Sequence, residues 1–266
     1  MKTLTITLIT LMISATGYAF GVNPMVAELD PNAPRSQQTF VLENRSSMDT
    51  PVEIVVAKPI IGENGQETLE EGNGEDLFLI LPQQLVLPAN SKRSVKVLYV
   101  GDPMDREETY RILFKELPVD VSETNEELAE GESSFTMRVV MQYHTRIWLT
   151  PSGLEEDLKI KDFKKVSVSA PKTKFADGTQ SGESETINML ELTVANEGNK
   201  HGYIRYPTIT LVKVAGKPVV LNRRDIDTIS GQVVFQNSEK TFRIPWKEEY
   251  PELASLKEIR LETVRR

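Results

Sequence analysis

Residue types on which many catalytic and metal sites depend are scarce in this chain of 266 residues. It contains no cysteine and two histidines, His144 and His201. Zinc usually takes cysteine and histidine ligands, so a zinc site of the usual kind is nearly excluded. A Cys–His nucleophile is impossible, and neither histidine lies near a Gly-x-Ser-x-Gly turn. We expect His144 on an exposed strand face and His201 in an exposed turn.

Motifs that bind nucleotides are also missing. The sequence has no Gly-x-x-x-x-Gly-Lys loop and no Gly-x-Gly-x-x-Gly element, and the glycines between positions 62 and 74 stand among glutamates. The net charge of −8 argues against general binding of nucleic acids. The 39 acidic residues would allow the carboxylate pair of a glycoside hydrolase, but nothing singles out one pair. We expect no catalytic residues, no metal and no cofactor.

Residues 1–19 have the pattern of an export signal. Lys2 provides a basic start, and residues 4–13 form an apolar stretch too short to span a bilayer. Gly17 and Ala19 place small residues where a signal peptidase cuts, which predicts cleavage after Ala19. A buried N-terminal strand is the alternative. No later segment has the ~18 continuous apolar residues of a membrane helix, so we expect an exported, soluble protein without membrane insertion. Export without cysteine fits a bacterial periplasm.

Short segments of alternating apolar and polar residues fill the rest of the chain, separated by Pro, Gly, Asn and Asp. This pattern is typical of all-β proteins, and about seven strand candidates in each half predict two β-sandwiches. Pro151-Ser152-Gly153 is expected to link a domain of residues 20–150 to one of residues 151–266. Residues 61–74 are expected to be a loop, and residues 253–261 have the pattern of a short helix. Strand candidates include residues 21–29, 38–43, 52–57, 77–81, 84–87, 94–100, 110–117, 164–169, 187–195, 203–213, 240–244 and 259–264.

Residues 135–151 form the most informative segment, because one face of the expected strand is apolar and the other mostly polar. The strand exceeds the usual ~5–6 residues. It follows the acidic residues 120–134, which are expected to form a loop. A long apolar strand is an aggregation hazard unless something pairs with it. Its apolar row consists of Phe135, Met137, Val139 and Met141, continued by Tyr143, Thr145 and Ile147.

Several segments together carry a resemblance to a known family. Residues 40–44 read F-x-L-x-N, and residues 110–118 read YRILFKELP, an aromatic strand that ends in Glu-Leu-Pro before an expected loop. Residues 78–97 add a pair of expected strands flanked by prolines. Residues 135–151 add a long expected strand that ends in a basic residue and a proline. The chain resembles the PapD-like periplasmic chaperones of chaperone–usher pili, closely over residues 78–151 and loosely in the second half.

The resemblance implies an all-β protein of two immunoglobulin-like β-sandwich domains at an angle, with an interdomain cleft. It implies donor-strand complementation, in which the chaperone lends a strand to pilin subunits and passes them to an outer-membrane usher. Arg146 corresponds to the basic cleft residue that anchors the pilin's C-terminal carboxylate. The lent row would be Phe135, Met137, Val139 and Met141.

One expected feature of the family is missing. The first strand, residues 23–28, lacks the basic residue that usually provides the second anchor, and Arg111 is a substitute by strand position. This departure suggests an alternative branch of the pathway. The sequence leaves two alternatives open: a structural or adhesive pilus component, and an exported β-sandwich that binds or hydrolyses carbohydrate. Whether the free protein self-associates through its donor strand stays open.

Overall fold

The computed structural model describes residues 20–62, 67–118, 140–171 and 184–264. Strands and the turns between them make up nearly all of these residues, and the helical elements among them are three single 3₁₀ turns. The expected all-β class is confirmed. None of the described helices is long and apolar enough to cross a membrane. The chain divides into unit 1, which holds residues up to Pro103 and Glu108–Leu149, and unit 2, which holds Met104–Glu107 and the residues from Thr150 onward.

Unit 1 has a four-stranded and a six-stranded sheet in its described residues. The first has the order β1-β3-β8-β6, and the second has the order β2-β10-β9-β4-β5, with β7 also paired to β4. The strands are β1 (Phe20–Asn23), β2 (Val26–Leu29), β3 (Gln37–Asn44), β4 (Thr50–Ile61), β5 (Glu67–Glu71), β6 (Phe78–Leu81), β7 (Gln84–Leu87), β8 (Lys92–Tyr99), β9 (Glu108–Glu116) and β10 (Gln142–Leu149).

The core of unit 1 is formed by apolar side chains of its central strands. Phe40 on β3, together with Ile112 and Phe114 on β9, is completely buried. The rings of Phe40 and Phe114 lie 5.4 Å apart and join the two sheets. Burying one such side chain contributes about 1.5–3 kcal/mol, so these buried side chains are the main source of the unit's stability.

The first strand of unit 1 changes sheet at a proline. β1 pairs antiparallel with β3, whereas β2 pairs parallel with β10. Pro24 lies between them, after a cis peptide bond to Asn23. Proline has no N–H to donate to a ladder, which ends β1 at this point. The single strand expected over residues 21–29 is therefore two strands in different sheets.

Unit 2 contains three smaller sheets in its described residues. Their orders are β11-β12-β17, β13-β16 and β15-β14-β18. Leu190 and Leu192 of β12, Leu211 of β14 and Ile244 of β17 are completely buried in one hydrophobic core. The strands are β11 (Leu158–Pro171), β12 (Ser184–Asn196), β13 (Gly202–Tyr203), β14 (Thr208–Lys213), β15 (Val219–Val220), β16 (Val233–Val234), β17 (Ser238–Pro245) and β18 (Leu256–Glu262).

The short helix expected over residues 253–261 is wrong. Leu253–Ser255 form a single 3₁₀ turn, and β18 follows at once. β18 pairs with β14, and Ile259 is buried in the unit's core while Leu261 packs against it. Ladder pairing and burial therefore override the local helical pattern, because strand stability depends on cross-strand neighbours more than on intrinsic preference.

The loop expected over residues 61–74 is also wrong in part. β4 continues through Pro59 to Ile61, and β5 pairs with it from Ala57 to Ile61. β9 pairs with β4 only as far as Ala57. Beyond that residue β4 has β5 as its one partner in the described chain, and a proline is tolerated on such an edge.

His201 is buried in unit 2, which contradicts the exposed turn expected for it. Its side chain is 2% exposed, and its Nδ1 lies 2.7 Å from Oε2 of Glu107. The backbone N–H of His201 and the hydroxyl of Thr150 donate to the same carboxylate at 2.6 and 2.7 Å. The side-chain amide of Gln236 donates to the backbone carbonyl of Glu107. Four groups thus hold Glu107 inside the unit, and no local pattern around residue 107 or residue 201 predicts this contact.

A buried asparagine ends one strand in each unit. Asn44 closes β3 and Asn196 closes β12, and each is 1% exposed. Both side chains accept a hydrogen bond from the backbone N–H two residues ahead and donate to the carbonyl four residues ahead. Each also donates at 3.1 Å to a carbonyl on a strand distant in sequence, Leu87 or Val234. The two units therefore use the same device to close a turn.

Candidate functional site

The long segment that stands out in the sequence ends as β10. Phe135, Met137 and Val139 lie outside the described residues, and Met141 directly precedes the strand. The backbone carbonyl of Met141 accepts from the N–H of Glu116 at 3.0 Å, and its own N–H donates to the Glu116 carboxylate at 3.1 Å. The antiparallel ladder between β9 and β10 thus extends to Met141, the one member of the expected donor row that the structure describes.

The two faces of β10 differ in burial along its length. Thr145, Ile147 and Leu149 face the core and are completely buried. On the other face Gln142 and His144 are exposed, as expected for His144. Further along the same face, Arg146 is only 8% exposed and Trp148 only 2%. Within β10, the mostly polar face is therefore exposed at the start of the strand and buried at its end.

β10 is paired on both sides along only half of its length. Arg146–Leu149 pair with β9 on one side and with β2 on the other. Gln142–Thr145 pair with β9, and no described strand lies along their second edge. The ring of Tyr143 contacts that of Phe20 at 5.0 Å between centroids. An edge of this kind offers backbone N–H and C=O groups to which another strand can be added.

Two arginines lie directly opposite each other at the point where this edge ends. Arg146 of β10 is the register partner of Arg111 of β9, so both side chains lie on the same face of the sheet. We call these two residues the arginine pair. Like charges at opposed positions are destabilising, and a compensating anion is expected between them.

Glu67, the first residue of β5, provides that anion. Its Oε1 lies 2.6 Å from Nε of Arg111, and its Oε2 accepts from Nη2 of Arg111 at 3.0 Å. Oε2 also contacts Nη2 of Arg146. Arg111 thus holds the carboxylate with the bidentate fork that suits a planar guanidinium, and Arg146 shares one of its oxygens.

Neighbouring groups fix the orientation of Arg146. Its Nη1 donates to the hydroxyl of Thr109 at 3.2 Å, and its guanidinium carbon lies 5.1 Å from the ring centre of Trp148. A cation over an indole ring is attracted by the negative face of that ring. The guanidinium is therefore positioned by an aromatic face, a hydroxyl and a carboxylate.

The arginine pair keeps Glu67 ionised. Partial burial of the carboxyl opposes its ionisation, but the hydrogen bonds and charges of Arg111 and Arg146 outweigh that effect and lower the pKa of Glu67 below its ordinary value. Two guanidinium groups and one carboxylate leave a net charge of +1. Chemically, the arrangement is a binding site for a carboxylate, and it holds one from its own chain.

Sequence reasoning did not identify Glu67. It lies in an acidic, glycine-containing stretch that predicted a solvated loop, and nothing local distinguishes it from the neighbouring Glu70 and Glu71. Only the pairing of β5 with the end of β4 places its side chain at the arginine pair. The position of Glu67 at the arginine pair therefore depends on the order of the strands in the sheet and not on the residues around it in the sequence.

A match to a known protein family covers the part of the chain that carries this site. Residues 21–155 match the model of a family described as pili and flagellar-assembly chaperone, PapD N-terminal domain. No curated protein sequence matches the chain significantly. The matched residues include the arginine pair, Glu67 and the strands that carry them.

Among solved structures, the chain is similar to the class 5 fimbriae chaperone CfaA, with a TM-score of 0.51 and 16% identity, over 93% of this chain and 100% of that one. It is also similar to a chain of a chaperone–tip adhesin complex of CFA/I fimbriae, with a TM-score of 0.50 and 16% identity, over 84% of this chain and 87% of that one. A chain of the Salmonella enterica SafA pilin–SafB chaperone complex is similar with a TM-score of 0.47 and 13% identity, over 86% of this chain and 85% of that one.

At these identities the first two structures show a shared fold. The family model covers half of the chain, which is enough to assign the family itself. The chain therefore belongs to the family of pili and flagellar-assembly chaperones that carry the PapD N-terminal domain.

Proposed function

We propose that this chaperone acts in the periplasm, binds pilin subunits by donor-strand complementation and delivers them to an outer-membrane usher. The export signal predicted over residues 1–19, with cleavage after Ala19, would place it there. Phe135, Met137, Val139 and Met141 are the row of side chains that it lends. The observation that carries the proposal is the half-paired edge of β10 beside the arginine pair.

The edge and the arginine pair suit the two parts of such a ligand. An incoming strand can add its backbone to the open edge at Gln142–Thr145, while the arginine pair receives its C-terminal carboxylate. A strand added along β10 would meet Arg146 where the second edge becomes occupied by β2. The arginine pair thereby fixes where the ligand ends and which residues of the lent row meet its groove.

Donor-strand addition is energetically reasonable without a cofactor. Four apolar side chains at about 1.5–3 kcal/mol each suggest a gross gain of about 6–12 kcal/mol. Each ladder hydrogen bond adds about 1 kcal/mol net. Ordering of the lent strand and loss of the subunit's freedom offset part of this gain. The family is one of chaperones, and we propose that folding of the subunit supplies the free energy of assembly.

A charge placed on the lent row tests the proposal. We expect Val139→Asp and Met141→Asp to reduce recovery of a co-expressed pilin subunit from the same genome at least tenfold, because each buries a carboxylate in the subunit's groove. Gln142→Asp is the matched control, because it places the same charge on the exposed opposite face. The measurement is the amount of pilin that co-purifies with a tagged chaperone from the periplasm.

Circular dichroism and thermal unfolding check that all three variants stay folded. Folded Val139→Asp and Met141→Asp variants that recover as much pilin as the unmodified chaperone would refute the donor row.

A further inference from the structure

The chain's own carboxylate already occupies the bidentate edge of Arg111 and one nitrogen of Arg146. Arg111 uses Nε and Nη2 for Glu67, and its Nη1 reaches the backbone carbonyl of His144 at 3.5 Å. Arg146 uses Nη2 for Glu67 and Nη1 for Thr109. A second carboxylate therefore cannot take the bidentate edge of Arg111 while Glu67 holds it.

We infer that Glu67 is an internal competitor that occupies the arginine pair in the free chaperone and is displaced by the carboxylate of the bound ligand. The inference rests on the proposed function, because it assigns regulation to the same site. Glu67 lies on β5, the edge strand of its sheet, and its side chain remains 21% exposed. The side chain can swing into water while the backbone of β5 stays paired with β4.

Displacement exchanges one carboxylate for another. The charge of the site is the same before and after displacement, so neither the free nor the bound chaperone has to hold two opposed cations without an anion. The site then adds little net affinity of its own, because the ligand gains only what Glu67 gives up. A carboxylate without the remainder of the ligand competes poorly, so Glu67 makes the site selective for a carboxylate that arrives on a complementary strand.

The size of the effect follows from the occupancy. If Glu67 leaves the arginine pair free about a tenth of the time, an external carboxylate binds about tenfold more weakly than it would to the empty site. Glu67→Gln removes the charge and nearly keeps the shape. This variant is therefore expected to bind a simple carboxylate about tenfold more tightly than the unmodified chaperone.

Sodium acetate at constant ionic strength is the probe. Its binding is followed by the Nε–Hε resonances of Arg111 and Arg146 in two-dimensional ¹H–¹⁵N NMR spectra, assigned with Arg111→Lys and Arg146→Lys. We expect Glu67→Gln to respond at about tenfold lower acetate concentration. Glu71→Gln is the matched control, because Glu71 lies on the same strand but pairs with Lys115; it should respond like the unmodified chaperone.

Glu67→Asp provides a second, independent variant. It keeps the charge but is one methylene shorter, so it should hold one of the two arginines less well. Its acetate response should therefore lie between those of the unmodified chaperone and Glu67→Gln. Equal acetate affinity in the unmodified chaperone and Glu67→Gln, or weaker binding in Glu67→Gln, overturns the inference. The second result would mean that Glu67 orders the arginines and does not compete for them.

The acetate experiment requires no pilin. A failure of pilin capture would therefore refute the proposed function without changing the acetate result. Pilin capture that depends on Val139 and Met141, combined with acetate affinity that is unchanged in Glu67→Gln, would refute the inference alone.

Discussion

Asn44 and Asn196 show how a single buried amide can close a strand and tie it to a distant one. Each side chain satisfies one backbone N–H and two backbone carbonyls, and Asn196 also accepts from the N–H of Asp157. Buried backbone groups that lose their partner cost about 1–3 kcal/mol each. An asparagine at this position therefore contributes much more than its own hydrogen bonds would on the surface.

We predict that Asn44→Ala and Asn196→Ala each lower the free energy of unfolding by about 2–4 kcal/mol, because each leaves several buried backbone groups without a partner. Trp148 lies in unit 1 and Trp246 in unit 2, so single-tryptophan versions report the two units separately during unfolding in urea. Asn44→Ala should shift the Trp148 transition and Asn196→Ala the Trp246 transition. Asn73→Ala, at an exposed position, is the control and should change stability by less than about 0.5 kcal/mol.

Glu67 gives a second prediction at this scale. Its pKa is lower in the folded than in the unfolded protein, where the ordinary value of 4.5 applies, so its ionised form stabilises the fold above that pH. This contribution is lost as the pH falls through the lowered folded pKa. The difference in urea stability between the unmodified chaperone and Glu67→Gln should therefore be constant above about pH 5.5 and shrink in acid. A difference that grows in acid would contradict the assignment of the shift.

At the scale of elements, the sequence predicted strands well where alternation and burial coincide. The strand expected at residues 84–87 has the observed bounds of β7, and those expected at residues 38–43 and 94–100 differ from β3 and β8 by one or two residues. In β3 and β8 the buried residues repeat with period two because one face meets the core, whereas β7 is a short apolar run that ends before a proline. Local pattern is sufficient there.

Elsewhere, the elements depend on partners distant in sequence. β5 reads as a charged loop and becomes a strand because the end of β4 offers it a ladder. β18 reads as a short helix and becomes a strand because β14 lies beside it. The arginine pair was within reach of the sequence, since strand position suggested Arg111 beside Arg146. Glu67 was not, because a contact between residues 67 and 146 depends on the order of four strands in one sheet.

The segment Met104–Glu107 supports a prediction at this scale. Glu107→Ala removes the shared acceptor of His201 and Thr150 and leaves their donors buried without it. We expect unit 2, as reported by Trp246, to lose about 3 kcal/mol. Glu107→Gln, which keeps an acceptor oxygen, should cost less. Asp105→Ala is the control because Asp105 lies in the same segment and is exposed; a loss as large as that of Glu107→Ala would point to the segment's backbone and not to the carboxylate.

At the scale of the whole molecule, the proposed lending of a strand would separate a chaperone from a structural component of the pilus. A lent strand is returned when the subunit is passed on, whereas a structural component stays in the fibre. The half-paired edge of β10 and an arginine pair that already carries an internal carboxylate both suit a reversible contact. A fibre subunit would need a contact that is not given up.

Stoichiometry therefore provides the last prediction. In cells that assemble the pili, we expect an epitope-tagged version of this protein to purify from the periplasm in a one-to-one complex with a pilin subunit, and to be missing from washed fibres. Quantitative immunoblotting of both fractions measures this, with the pilin subunit as the control that must appear in each. The tagged protein in fibres at a constant ratio to pilin would favour a structural or adhesive component, because a chaperone that takes its lent strand back does not stay with the subunit.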